Sequence, residues 1–533
     1  MAFMLVVESQ VYTIKVADCL GEWKTADNLL RLLRQVFQTV STEWGASVVA
    51  IVADAAGESY KACLDFAKEF PEIIVVDCYA HQLNLVVGDY FKSDATCLQY
   101  VDTVTNLITW LRGKSMLKSL LQQAQDTANL PWLTIIHAVL TCWTSHYQAF
   151  RCLLQVCVPL ESVILLEEAR PRDKKLIIIG KEAKDRAKKM IENIQNPLMW
   201  HAITRIVRHL EPLAIATNVV QKAFCSLDTV LLTFGFLWHC YNKMLYERDD
   251  RRRGTEADLG IAAILQSLEK CWAKADQEVF VAAIILNPFF QSSPFSQDNI
   301  FFNIAGITAL LSKLWKCFYY EDAPTALSIQ IQAYLQQQGM FQTIESECKT
   351  VQGVATGKGV RLNPLDVFTG YFFPGQEPIP LIKLARRVLS VCANSASCEC
   401  LFSMFGDTLT KKRNQLATET LTSLVELKMH IWDEHLQNRE DVQNCLKRNF
   451  GAYQNMQKER LSTSTAALAS GTSTTTATSA TAVTTTDKED STQSMENSMP
   501  GTSAFWEYIE HSMQMAAEDE DLDMDVDKDL SDC

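Results

Sequence analysis

Two short apolar runs limit what the N-terminal part of this chain can fold into. Ser47–Ala53 reads SVVAIVA and ends at Asp54, and Ile73–Val76 reads IIVV and ends at Asp77. Both are unbroken rather than alternating, the pattern of strands covered on both faces. Between them lie small residues, Ala55-Ala56-Gly57, and a helical stretch to about Phe70; after the second, CYAHQLNLVVGDYF opens another helix. Upstream, residues 1–17 hold two apolar stretches around Glu8-Ser9-Gln10, which predicts a β-hairpin. Thr25 is placed to cap a helix with Leu29, Leu32, Leu33, Val36, Phe37 and Val40 on one face. A hairpin followed by alternating helix and strand predicts a mixed α/β sheet. Asp54 falls at the C-terminal end of a strand, where ligands of open α/β sheets gather, or it caps the next helix.

A second informative stretch runs from Leu381 to Trp432. An apolar helix ends in a small-residue turn at Ala393–Ser397, and a lone acid, Glu399, follows among Leu401, Phe402 and Phe405. Burying a carboxylate costs several kcal/mol, as an order of magnitude, unless a cation or donors meet it. Glu399 therefore either pairs with an arginine such as Arg386 or Arg413, or ligates a metal. A basic knot, Lys411-Lys412-Arg413-Asn414, precedes a helix with Leu421, Leu424, Val425, Ile431 and Trp432 at helical spacing. Thr418 suits its N-cap, and Glu419 suits the positive end of its dipole.

Hydrophobic content of 48% supports a large core. No apolar run reaches 18 residues, and the first ten residues lack a basic n-region, which predicts neither a membrane partner nor a secretory leader. Seventeen cysteines occur without a Cys-x2-Cys pair, so a reducing setting with buried free thiols is expected. The net charge of −14 is local: residues 487–533 hold 15 acids and 2 lysines, leaving about −1 on the rest. Local patches would have to carry any contact with nucleic acid.

From about 93 to 380 the chain reads as helical, with Val101, Val104, Leu107, Ile108 and Leu111 on one stripe. Lys181–Lys189 and Arg251-Arg252-Arg253 are basic patches flanked by acids, solvated by default and phosphate-binding as the alternative. From about Leu461 a Ser/Thr-rich segment without apolar period predicts disorder. Within the tail, Ala504–Glu510 suits a short helix, and Glu518–Asp532 is an acidic-hydrophobic tract. Cys78 and His81 invite a zinc reading, but two ligands are not four and no second pair lies at ligand spacing. No zinc is expected; a structural role for both is the default.

These motifs together resemble the hAT transposase superfamily. Cys78-Tyr79-Ala80-His81-Gln82-Leu83-Asn84-Leu85 matches its Cys-x-x-His-x-Leu-Asn-Leu motif intact. Asp54 stands where the family has an Asp before Asn, although both Asn positions are lost. Ser397-Cys398-Glu399-Cys400-Leu401-Phe402-Ser403 is similar to Ser-Glu-Arg-x-Phe-Ser with Cys400 in place of Arg, and Lys412–Leu416 to Arg-Asn-x-Leu. Leu140–His146 resembles the family's Arg-Trp-x-Ser segment with Cys142 for Arg, and Phe280–Pro288 its Leu-Asn-Pro segment. The likeness spans about residues 11–440.

The resemblance implies an α/β fold: an RNase H-like mixed sheet interrupted by a large all-α insertion, with a disordered C-terminal tail. The implied domains are 1–92, the first part of the core; 93–380, the insertion; 381–445, the last core helix and the hAT dimerisation region; and 460–533, the tail. Asp54 and Glu399 become the second and third acids of an Asp-Asp-Glu site, which would hold Mg²⁺ for two-metal phosphoryl transfer. Trp143, His81, Lys411, Lys412 and Arg413 become DNA contacts, with Trp143 stacking on a flipped base or sitting in a core. Leu421, Leu424, Val425 and Ile431 become dimer contacts. In the family the first Asp and a BED-type zinc finger precede the point where this chain starts, so the expectation is an N-terminally truncated core. The expected protein is a dimerising, DNA-associated nuclear relative without catalysis. The alternatives are an active transposase with a mis-called start and a fragment that does not fold alone.

Overall fold

The computed structural model describes residues 1–431 except 8–9, 18–22, 55–56, 137–142, 178–180, 223, 250–257, 296–299, 359–361, 374, 410–415, 418, 426 and 429–430, together with residues 509 and 513. The chain divides into two compact units, 1–400 and 401–533. Among the described residues it is mostly helical, with two small sheets.

The first unit opens with the expected hairpin. β1 (Ala2–Val7) pairs antiparallel with β2 (Gln10–Val16), with a register shift between Phe3 and Met4. Thr25 caps α1 (Ala26–Thr42), its hydroxyl accepting from the Asn28 N–H at 3.4 Å. Leu29, Leu32 and Val40 are buried as their spacing predicts. β3 (Ala50–Ala53), α2 (Gly57–Glu69) and β4 (Ile74–Asp77) form a β–α–β unit, in which β3 and β4 are parallel and Ala53 stands opposite Asp77. α1 is stitched to α2 by Phe37 between Phe66 and Phe70, by the Arg34–Glu69 ion pair and by the Ala26 N–H on the Glu58 carboxylate at 2.7 Å.

Two expectations change here. Among the described residues the strands form two separate two-stranded sheets, not one mixed sheet. β3 is half-buried throughout and β4 alternates buried and half-buried positions, so neither is covered on both faces. An apolar run announces a strand but not its neighbours, and the four-residue pairing here leaves each strand with one partner.

α3 (Tyr79–Phe91) links this unit to the helical bulk, where it packs on the helices Pro197–Val220 and Leu259–Lys274. Pro197–Val220 is buried over most of its 24 residues, with Asn196 as N-cap and Pro197 at its first turn, where a missing N–H costs nothing. Asp258, itself buried, caps Leu259–Lys274 through Gly260 and Ile261 N–H. The same carboxylate takes Arg205 at 2.6 Å and His209 at 3.3 Å, and His209 meets the Tyr90 hydroxyl at 3.3 Å. Three helices are thereby locked through one buried charge. A β-carbon on Gly260 would lie 2.9 Å from the Tyr90 ring, so this crossing requires glycine. In the Leu-Asn-Pro segment, Asn287 donates to the buried Asp228 carboxylate at 2.6 Å and its own side-chain oxygen takes the Phe289 N–H.

The helix Pro380–Leu389 closes the bulk of this unit. Arg387 donates to the Glu72 carbonyl at 2.7 Å, ahead of β4, and lies over the Phe318 ring, while Lys383 lies over Tyr319. The helix Ala396–Thr408 follows.

In the second unit, residues 419–425 are helical, the Leu421 N–H returns to the Ala417 carbonyl, and Lys428 reaches the Thr408 hydroxyl at 3.3 Å. Of the tail predicted to be disordered, only Ile509 and Met513 fall among the described residues; both are helical and buried.

Candidate functional site

Three segments far apart in sequence meet at the C-terminal ends of β3 and β4. Asp54 follows β3, Asp77 ends β4, and His81 sits in the first turn of α3. Glu399 sits in the first turn of the helix Ala396–Thr408, a position that suits an acid. A loop pinned on both sides sets where that helix begins. The Tyr79 N–H donates to the Ala393 carbonyl at 3.1 Å, and the Ala393 N–H to the Cys225 carbonyl at 2.6 Å. The buried Asn394 side chain donates to the Val220 and Lys222 carbonyls, each at 2.6 Å, and accepts from the Ala396 N–H at 3.2 Å. The Ser395 N–H donates to the Cys78 thiol at 3.3 Å.

This gives the Cys-x-x-His motif a physical division of labour. Cys78 is fully buried and holds the loop that launches the Glu399 helix. His81, one turn along α3, sets an imidazole within electrostatic range of Glu399. The Glu399 side chain is exposed at the rim, yet lost hydration raises its carboxyl pKa; His81 opposes that rise and the Asp54 charge adds to it. Asp54 and Glu399 thus lie close enough for one charge to act on the other. Asp77 is also raised, first by burial, against the pull of Lys274, His81 and a 3.1 Å hydrogen bond from Gln82. Burial and the charges of Asp77 and Asp54 push the Cys63 thiol up to about 11.

Glu399 does not take an arginine partner among the described residues. Arg386 lies over the Phe372 ring instead, and His81 lies within electrostatic range of Glu399. Arg413, Lys411 and Lys412 lie outside the described residues, as do the Trp143 side chain and Arg251–Arg253; Trp143 opens the helix Trp143–Gln155. Asp77 and Asn394 are site residues that motif reading passes over. For Asp77 the signal is there: a second apolar run ends in an acid opposite the last residue of the first.

A pair of Mg²⁺ ions needs several hard oxygen ligands around it. Among the described residues no three of His, Cys, Asp and Glu converge at ligand distance. Asp54 and Glu399 alone do not fit such a pair, so no metal-dependent step follows from them.

The helical residues of the second unit split into two faces. Leu421 and Val425 are buried, whereas Leu424, Leu427 and Ile431 are exposed at 38%, 53% and 53%. The exposed three are spaced i, i+3, i+7, one stripe of a helix. Leu427 joins this stripe, and Leu421 and Val425 face inward.

Residues 378–431 match the hAT family C-terminal dimerisation region. No curated protein matches the chain. Among the described residues no single helix is long and apolar enough to cross a membrane.

Proposed function

We propose that this chain is a hAT-derived nuclear protein that works by self-association and contact with DNA rather than by catalysis. The hAT match over residues 378–431, together with the exposed stripe Leu424, Leu427 and Ile431, carries this reading. Two copies would bury these stripes against each other, since three exposed aliphatic side chains on one helix face are costly to leave in water. On this reading β3, α2, β4 and the Glu399 helix are the remains of an RNase H-like core, and residues 93–380 are its insertion. Light scattering of the full chain tests it: the expected mass is twice the 60.0 kDa of one chain. Leu424→Asp with Ile431→Asp should return it to one chain's mass. A wild-type protein already at 60.0 kDa sinks the reading.

The closeness of Asp54 and Glu399 favours a second reading, a cut-and-paste transposase using Mg²⁺. It requires a further carboxylate beside these two. Mg²⁺-dependent DNA strand transfer, lost in both Asp54→Ala and Glu399→Ala, would establish it over the first.

A further inference from the structure

We infer that the first unit carries a second, separate binding surface, a groove that takes a short basic peptide segment of a partner protein. The groove has a volume of about 610 Å³ and lies between the end of α3 and the helices Leu227–Asp249 and Leu259–Lys274. Leu259, Ala262 and Ala263 line it on one side, and Trp238, 46% exposed, lines it on another. Its charged lining residues are both acids, Asp94 and Glu269, on opposite sides of Leu259 in sequence. Neither has a cationic partner among the described residues.

Charge complementarity selects the occupant. An exposed indole attracts a lysine or arginine cation, and two carboxylates without a cationic partner among the described residues supply charge-assisted acceptors for it. The short side chains of Ala262 and Ala263, beside Leu259, leave room for one or two apolar side chains next to that cation. A segment alternating basic and aliphatic residues fills each part; an acidic segment or a phosphate backbone meets like charge. This surface shares no residue with the Asp54–Glu399 site or the 378–431 region.

The test is binding of a fluorescein-labelled nine-residue Arg/Leu peptide to the full chain, followed by anisotropy, with a Glu/Leu peptide as the control. Saturable binding of the basic peptide alone is expected. Trp238→Ala should weaken it about tenfold, the scale of a desolvated cation–π contact. The Asp94→Asn, Glu269→Gln double variant should do the same, and the remote Glu345→Gln should leave it unchanged. Trp238 is half-exposed and the double variant keeps side-chain shape, so circular dichroism matching the parent is expected of both. Equal binding by parent and both variants would put the peptide on the acidic tail and overturn the inference. So would no binding by the parent, equal binding of the Glu/Leu peptide, or binding seen only after Arg251, Arg252 and Arg253 are all changed to Ala, which would assign the groove to the chain's own arginines.

Discussion

Asn394→Ala is the most informative single change, because one side chain holds the start of the Glu399 helix. The Asn394 amide meets two carbonyls at 2.6 Å and its oxygen takes the Ala396 N–H at 3.2 Å, all in a setting where Asn394 itself is buried. A net hydrogen bond contributes about 1 kcal/mol, and a stranded buried partner costs about 1–3 kcal/mol more. The Ala396 N–H lies at a helix start and can be rescued by water, but the Val220 carbonyl belongs to a buried helix end. Together these give about 3–4 kcal/mol of destabilisation. For a unit of this size that corresponds to a fall in Tm on the order of 5 °C. Asn394→Asp should be at least as damaging, since its carboxylate would face two carbonyl oxygens. Differential scanning calorimetry gives the size, and amide hydrogen exchange gives the place: the Tyr79, Ser395 and Ala396 amides should exchange faster, while the Gly260 and Ile261 amides should not. If Tm stays within 1 °C and exchange at Ser395 is unchanged, the loop is not held by Asn394 and the account of how Glu399 is positioned fails.

Asp258→Asn keeps a capping oxygen but leaves Arg205 without its counter-charge and His209 without its carboxylate partner, at a cost of about 3 kcal/mol measured by chemical denaturation at pH 7. Burial alone would raise the Asp258 carboxyl, but His209 and Arg205 outweigh it and hold the carboxyl far below the usual range. The stabilisation from this group is therefore complete above about pH 4 and is lost as pH falls toward its folded value, so the gap between parent and variant should narrow only in acid. Gly260→Ala should cost about 1–3 kcal/mol by overpacking, because the new methyl would sit 2.9 Å from the Tyr90 ring. The Cys63 thiol, pushed up to about 11, should resist alkylation at pH 8 in native protein and react at once after unfolding.

Much of the local structure was legible in the residues. The hairpin, the Thr25 cap, both strands and their acids sit where composition and spacing place them. What the residues did not reveal is pairing. A four-residue strand carries no mark of its neighbour, so one mixed sheet is expected where the described residues form two. Helical spacing groups Leu421, Leu424, Val425 and Ile431, but adjacent faces of a helix differ by only a residue or two of phase. Burial then takes Leu421 and Val425 and leaves Leu424 and Ile431 out. For Glu399 the residues leave two roles open, partner of an arginine such as Arg386 or Arg413, or metal ligand. The fold brings Glu399 within electrostatic range of His81, which lies far upstream, while Arg413 lies outside the described residues. Asn394 was hidden in a run of small residues, where its polar side chain looked like turn composition.

The Cys78–Ser395 hydrogen bond joins residues 317 positions apart. During synthesis at roughly 5–20 residues per second, the β3–α2–β4 piece leaves the ribosome on the order of 15–60 s before the loop that completes its end. Through that interval its short parallel strands have no finished docking surface, and the intervening helices must assemble before the late-arriving loop can be captured. A nascent chain built this way depends on the middle of the protein being right first. Changes in those helices, far from Asp54 and Glu399, should therefore show up as lower yield of soluble protein before any effect appears at the acids themselves.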